Sequence, residues 1–128
     1  MTRGPVFSFR LVAIVASGIC SLLAIVWLLA PQLILWLWQI GDPQPALVMA
    51  RRGGALFLGL AIMLFLARNA ESSPARRAIS AGLCLACATL ATLGISEWIA
   101  GHAGIGIGLA ALVEILLSAS FAKTAFTN

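Results

Sequence analysis

Apolar residues fall into four long stretches separated by short polar or proline-bearing segments. Leu11 to Ala30 is an uncharged run, long enough for a helix rising about 1.5 Å per residue to cross a hydrocarbon layer about 30 Å thick. Gly53 to Ala67 is shorter, but Leu47 to Ala50 extends it. Arg52 and Arg68 can lay their aliphatic stems on apolar surface and send their charged heads toward water. Ala78 to Ser96 is the third stretch, and Ile105 to Phe121, lengthened by the glycine-rich Gly101 to Gly104, is the fourth. The pattern predicts an all-α membrane protein, a four-transmembrane-helix bundle making one membrane domain over residues 1–128. The expected spans are 11–30, 48–67, 78–96 and 104–122. Spans and short loops use nearly the whole chain and leave no length for a soluble domain.

The segments between the spans carry their own signals. Pro31 interrupts the first run, and Gln32 to Ile40 continues with Trp36 and Trp38 before Gly41-Asp42-Pro43-Gln44-Pro45. Proline denies the backbone a helix hydrogen bond and tryptophan favours the membrane boundary, so a Trp-rich interfacial segment capping one end of the bundle is expected after helix 1. Ser73 followed by Pro74 reads as an N-cap and first helical residue. Small residues recur for close helix packing: Ala13, Ser17 and Ser21 in the first span, Ala55 and Gly59 in the second, and Ala78, Gly82 and Ala86 in the third. In lipid, such stripes hold helices together by contact and weak hydrogen bonds. They suit the packing of this bundle, a homo-oligomer or a larger membrane complex equally.

Composition excludes a soluble domain. Apolar residues make up 62% of the 128 and charged residues 9%, with a mean hydropathy of +1.07, against roughly half apolar in soluble domains. The basic residues then orient the chain. With both termini inside, Arg3, Arg10, Arg68, Arg76, Arg77 and Lys123 lie in the cytoplasm and only Arg51 and Arg52 outside, a bias of the sign that sets topology. Trp27, Trp36, Trp38 and Trp98 all fall at the outer boundary in that orientation. The expected location is the bacterial inner membrane, multi-pass, N-in and C-in. The net charge of +4 reads as topology and contact with anionic membrane lipids, with no nucleic-acid partner. The first span exceeds a usual signal-peptide core, and Ile19 before Cys20 is too large for a lipoprotein cleavage site, so the segment is expected to stay as an anchor.

Glu114 stands in the middle of the last apolar run. A carboxyl group near the bilayer centre costs about 3 kcal/mol even on lenient insertion scales, so such a residue faces a bundle interior, holds a proton, or works. Gly106, Ala110, Glu114, Ser118 and Ala122 recur every four residues, placing the acid in a stripe where another helix can approach. The plain expectation is a carboxyl hydrogen-bonded to Ser118 or to a neighbouring helix carbonyl. The functional one is a carboxyl that exchanges a proton for a cation. Glu97 and His102 flank the last turn and are further candidates, as a proton relay toward Glu114 or as an ordinary solvated turn. Cys20, Cys87 and Glu114 fall at about one depth, and Cys84 makes a C-x-x-C with Cys87. Three thiols and a carboxyl there suit a tetrahedral zinc or copper(I) site, against the simpler reading of cysteine as a small packing residue. No cofactor is expected. Gly104-Ile105-Gly106-Ile107-Gly108 has no preceding strand, so close packing explains it better than nucleotide binding.

The stretch Arg51-Arg52-Gly53-Gly54-Ala55-Leu56-Phe57-Leu58-Gly59-Leu60, ending at Leu66-Ala67-Arg68, and then Ser73-Pro74-Ala75-Arg76-Arg77-Ala78, resembles the central hairpin of small bacterial four-helix membrane proteins that have no assigned function. The resemblance covers the first three helices, implies the same architecture and carries over no site residue. A non-enzymatic accessory or interaction subunit is therefore the leading expectation. The alternative is a small proton-coupled transporter using Glu114. Small multidrug exporters also use four helices, but they carry their essential acid in the first helix, where this chain has none.

Overall fold

The computed structural model describes residues 8–126, and Arg3, used in the topology argument, lies outside them. Five helices follow one another: α1 (Phe9–Leu29), α2 (Pro31–Leu37), α3 (Gln44–Ala67), α4 (Pro74–Ile99) and α5 (Gly106–Phe126). All but α2 are long and apolar enough to cross a membrane, the architecture of a multi-pass membrane protein. Many large side chains on their outer faces stay exposed, among them Leu22, Leu29, Leu56, Leu66 and Ile99, as a lipid-facing surface requires.

Local chemistry sets the helix boundaries. Ser8 caps α1 by accepting the Leu11 N–H at 3.3 Å. Proline disfavours helical geometry in the residue before it, and Ala30, which joins α1 to α2, sits at φ −142° and ψ 60°. The break expected at Pro31 is therefore present, and the residues after it form a short separate helix. Gln39, at φ 55°, turns the chain back toward α3. Ser73 caps α4 through the Arg76 N–H at 3.2 Å, with Pro74 in the first turn, as its sequence signature predicts.

The long helices associate as two pairs, α1 along α3 and α4 along α5, with few contacts between the pairs. In the first pair, the Ser17 hydroxyl donates to the Ala61 carbonyl at 2.8 Å. Trp27 and Leu28 close over Gly54, where a β-carbon would lie 2.9 Å from the Trp27 Cβ and 3.1 Å from the Leu28 nitrogen. In the second pair, Ser118 donates to the Cys84 carbonyl at 2.9 Å, and the Thr124 and Ser80 hydroxyls lie 3.1 Å apart in full burial. The two pairs meet at one end, where Phe9, Val12, Ala16, Leu64, Leu83 and Phe121 join all four long helices in one core. At the other end Trp27, Leu35 and Leu47 make a second cluster from α1, α2 and α3, and α4 and α5 take no part in it.

The small-residue stripes divide between inward and outward faces, and one span boundary needs correction. Ala13 and Ser17 are buried as predicted, but Ala55 and Gly59 on α3 and Ala78, Gly82 and Ala86 on α4 face outward. Nothing lies within 4 Å of a β-carbon built at Gly59 or Gly82. The faces that pack are set about one residue away, through Gly54, Ala61 and Leu64 on α3 and Ser80, Leu83, Ala91 and Gly94 on α4. Gly101 to Gly104 does not lengthen the last span. Gly101 sits at φ 80° in the left-handed region and ends α4 in a turn. The Gly104 N–H donates across the bundle to the Trp38 carbonyl at 2.6 Å. That bond ties the end of α2 to the α4–α5 turn, and Gly106 lies so close to the Leu37 backbone that a β-carbon would collide with its carbonyl.

Candidate functional site

Between the two helix pairs, at the end where α2 lies, a cleft of about 290 Å³ separates α1 and α3 from α4 and α5. Leu23 and Trp27 of α1 form one wall with Ala50, Gly53 and Phe57 of α3, while Leu90 of α4 and Ala110 and Glu114 of α5 form the other. Trp38, directly after α2, closes the end. Its ring meets that of Trp27 edge to face, with centroids 5.5 Å apart at 66°, a favoured arrangement for aromatic pairs.

The space exists because the facing positions are small. Ala50 and Gly53 stand opposite Ala110, and no atom comes within 4 Å of a β-carbon built at Gly53. The buried face of α5 runs through Ile107, Ala111, Phe121 and Ala125, at the spacing of three and four that keeps one side of a helix against its neighbour. Glu114 and Ser118 fall on that same side, half-buried. Their roles differ. Ser118 donates to the Cys84 carbonyl and lies 3.5 Å from the Cys84 sulfur. Glu114, expected to use Ser118, makes no hydrogen bond or ion pair among the described residues. Its carboxyl is the one ionisable group in the wall of the cleft.

The other candidates lie elsewhere. Glu97 and His102 do pair, with 2.7 Å between Oε2 and Nδ1, but both are exposed and neither lines the cleft. Glu114 lies eight residues beyond the start of α5, about 12 Å of helix rise from the turn that holds the pair. Cys20 is buried in the four-helix core, and Cys84 and Cys87 are half-buried. The described residues contain no group of three or more histidine, cysteine or acidic side chains arranged to hold a metal ion.

Residue patterning missed the aromatic part of the site. Trp27 and Trp38 read as boundary anchors, and Phe57 was given no role of its own. The one available signal was their position on either side of Pro31, where a chain reversal could bring two indoles together. No family model matches this chain, and no curated protein or solved structure is significantly similar to it.

Proposed function

We propose that this is a non-enzymatic protein of the bacterial inner membrane, with both termini in the cytoplasm, that takes an organic cation into the cleft and exchanges it for a proton on Glu114. The observation that carries the reading is the Glu114 carboxyl opening into an aromatic-walled cleft without a hydrogen-bond partner. An acid inside a membrane that is not used for packing marks a path for ions or protons. Indole and phenyl faces attract cations through their quadrupoles, so Trp27, Trp38 and Phe57 complement the carboxylate. The cleft volume is at the small end of the range for small-molecule sites, about 300 Å³, which suits a compact amine or quaternary ammonium ion. In the proposed orientation α2 is an interfacial cap and the cleft lies in the outer half of the membrane. A proton and a cation competing for one carboxylate is the minimum needed to couple their movements.

A second reading, an accessory subunit of a homo-oligomer or a larger membrane complex, is favoured by the outward small faces of α3 and α4. Gly59 and Gly82 leave room for a neighbouring backbone that this chain does not supply.

The test uses tetrapropylammonium as the probe. Wild-type protein in proteoliposomes should take it up against an imposed proton gradient. Glu114→Gln, which keeps the shape and a hydrogen-bonding head but cannot release a proton, should insert and melt like wild type while losing both binding and uptake. Equal binding by the glutamine variant would end the transporter reading and leave the accessory one.

A further inference from the structure

At the end opposite the cleft, the start of α1, the end of α3 and the start of α4 surround a second cavity of about 410 Å³. Three arginines, Arg10, Arg68 and Arg76, line it together with Asn69. None of the described residues lining it is acidic. Glu71, the nearest acid in the loop, is exposed and not in the wall. Two of the arginines are held in place by their surroundings. The Arg76 guanidinium lies over the Phe9 ring, 4.6 Å from its centroid, and donates to the Ala70 carbonyl at 3.2 Å. Arg68 lies over the Phe65 ring at 3.8 Å and donates to the Phe65 carbonyl. Ser8 and Phe9 in the wall add the amino end of α1, the positive end of its dipole.

Planar guanidinium groups suit phosphate oxygens in paired hydrogen bonds. A neighbouring feature selects the kind of phosphate. Phe65, on which Arg68 rests, also lines an apolar groove of about 230 Å³ that runs between α1 and α3 past Ile62, Leu58 and Ser21. A ligand whose phosphate sits among the arginines can thus lay a hydrocarbon chain in the groove that begins at Phe65. We infer that Arg10, Arg68 and Arg76 form a binding site for the phosphate of an anionic phospholipid, with one acyl chain along the α1–α3 groove. The site is independent of Glu114 and of any transport.

The inference is tested on delipidated protein in neutral detergent by native mass spectrometry. Three probes are titrated: dioleoyl phosphatidylglycerol, dioleoyl phosphatidylcholine and inorganic phosphate. Wild type should retain phosphatidylglycerol in preference to phosphatidylcholine, and millimolar inorganic phosphate should not displace it. Each basic residue at a membrane surface contributes about 1 kcal/mol to holding an anionic lipid, so Arg10→Gln should weaken phosphatidylglycerol about fivefold and Arg10→Gln with Arg68→Gln about thirtyfold. Arg51→Gln with Arg52→Gln, an equal loss of charge on α3, should leave the affinity unchanged. Arg10 is exposed, so its single variant reads out even where the double variant does not fold. Wild-type affinity in Arg10→Gln, an equal loss in the Arg51 and Arg52 control, or displacement of the lipid by inorganic phosphate would each overturn the inference, the last by making this a site for a free anion.

Discussion

The Ser118 hydroxyl gives its hydrogen to the Cys84 carbonyl at 2.9 Å, one helical turn beyond Glu114 on the same side of α5. The serine therefore serves the α4–α5 contact, and the acid faces the cleft with no such partner. A stability difference follows from this division. Ser118→Ala should lower stability by about 0.6 kcal/mol, the average for a hydrogen bond between membrane helices. Glu114→Leu should not destabilise the fold at all, because it leaves no partner unsatisfied and removes a group that is costly in lipid. Unfolding both variants in mixed micelles decides the matter, and a loss larger for Glu114→Leu than for Ser118→Ala would show that the carboxyl has a structural partner.

Adjacent glycines on α3 should respond oppositely to one methyl group. Gly54→Ala drives a β-carbon into Trp27 Cβ and the Leu28 backbone, and backbone does not move aside as a flexible side chain does. It should cost about 1–3 kcal/mol, as overpacking does. Gly53→Ala meets nothing within 4 Å and gains helix propensity of up to about 1 kcal/mol. Thermal melting of the two proteins should place them on opposite sides of wild type.

A similar contrast holds at the start of α5. At Gly106 an added methyl meets the Leu37 carbonyl, whereas at Gly108 it meets open space. Gly106→Ala should lower the melting temperature, and the Trp27–Trp38 contact should loosen with it, read as a change in tryptophan fluorescence. Gly108→Ala should leave the fluorescence as in wild type and should not lower the melting temperature. Matching behaviour of the two variants would mean that the α2 end does not pack against Gly106.

Orientation is open to a direct measurement. A reporter fused after Asn128 should be active in the cytoplasm, and one inserted at Gln44 should be active on the outer side, following the excess of basic residues at the opposite end. Cytoplasmic activity at Gln44 would reverse the membrane sidedness of the cleft and of the arginine cavity together.

The number of long apolar helices and the breaks at Pro31 and Ser73-Pro74 are written in local chemistry and were readable without coordinates, but not the short fifth helix after Pro31. The inward faces were legible only in part. Ser17 was correctly placed by its spacing from Ala13, and its hydroxyl finds a partner in the Ala61 carbonyl. On α3, by contrast, Gly53, Gly54, Ala55 and Gly59 offer several stripes of small residues. Lipid accepts an apolar side chain as readily as a protein interior does, so hydropathy does not choose among them. Glu114 announced itself by its cost, but its surroundings depend on the hydrogen bond between Gly104 and Trp38, two residues far apart in the chain that no local pattern relates. Gly104 and Gly106 were rightly assigned to close packing, whereas Gly108 has nothing within 4 Å of a β-carbon built there. That Gly106 meets the end of α2 rather than another membrane-crossing helix was not visible.

The pairing of α1 with α3 and of α4 with α5 also orders how the molecule is made. Each pair consists of consecutive membrane-crossing segments, so the first is complete as soon as α3 has emerged from the ribosome, before α4 and α5 exist. The first hairpin can bury Gly54 and satisfy Ser17 while α4 is still being synthesised. The second forms on its own and docks afterwards through Phe9, Leu64, Leu83 and Phe121. On this account the space around Glu114 is the seam between two separately assembled halves, left unsealed where the second hairpin, docking late, touches only the end of α2.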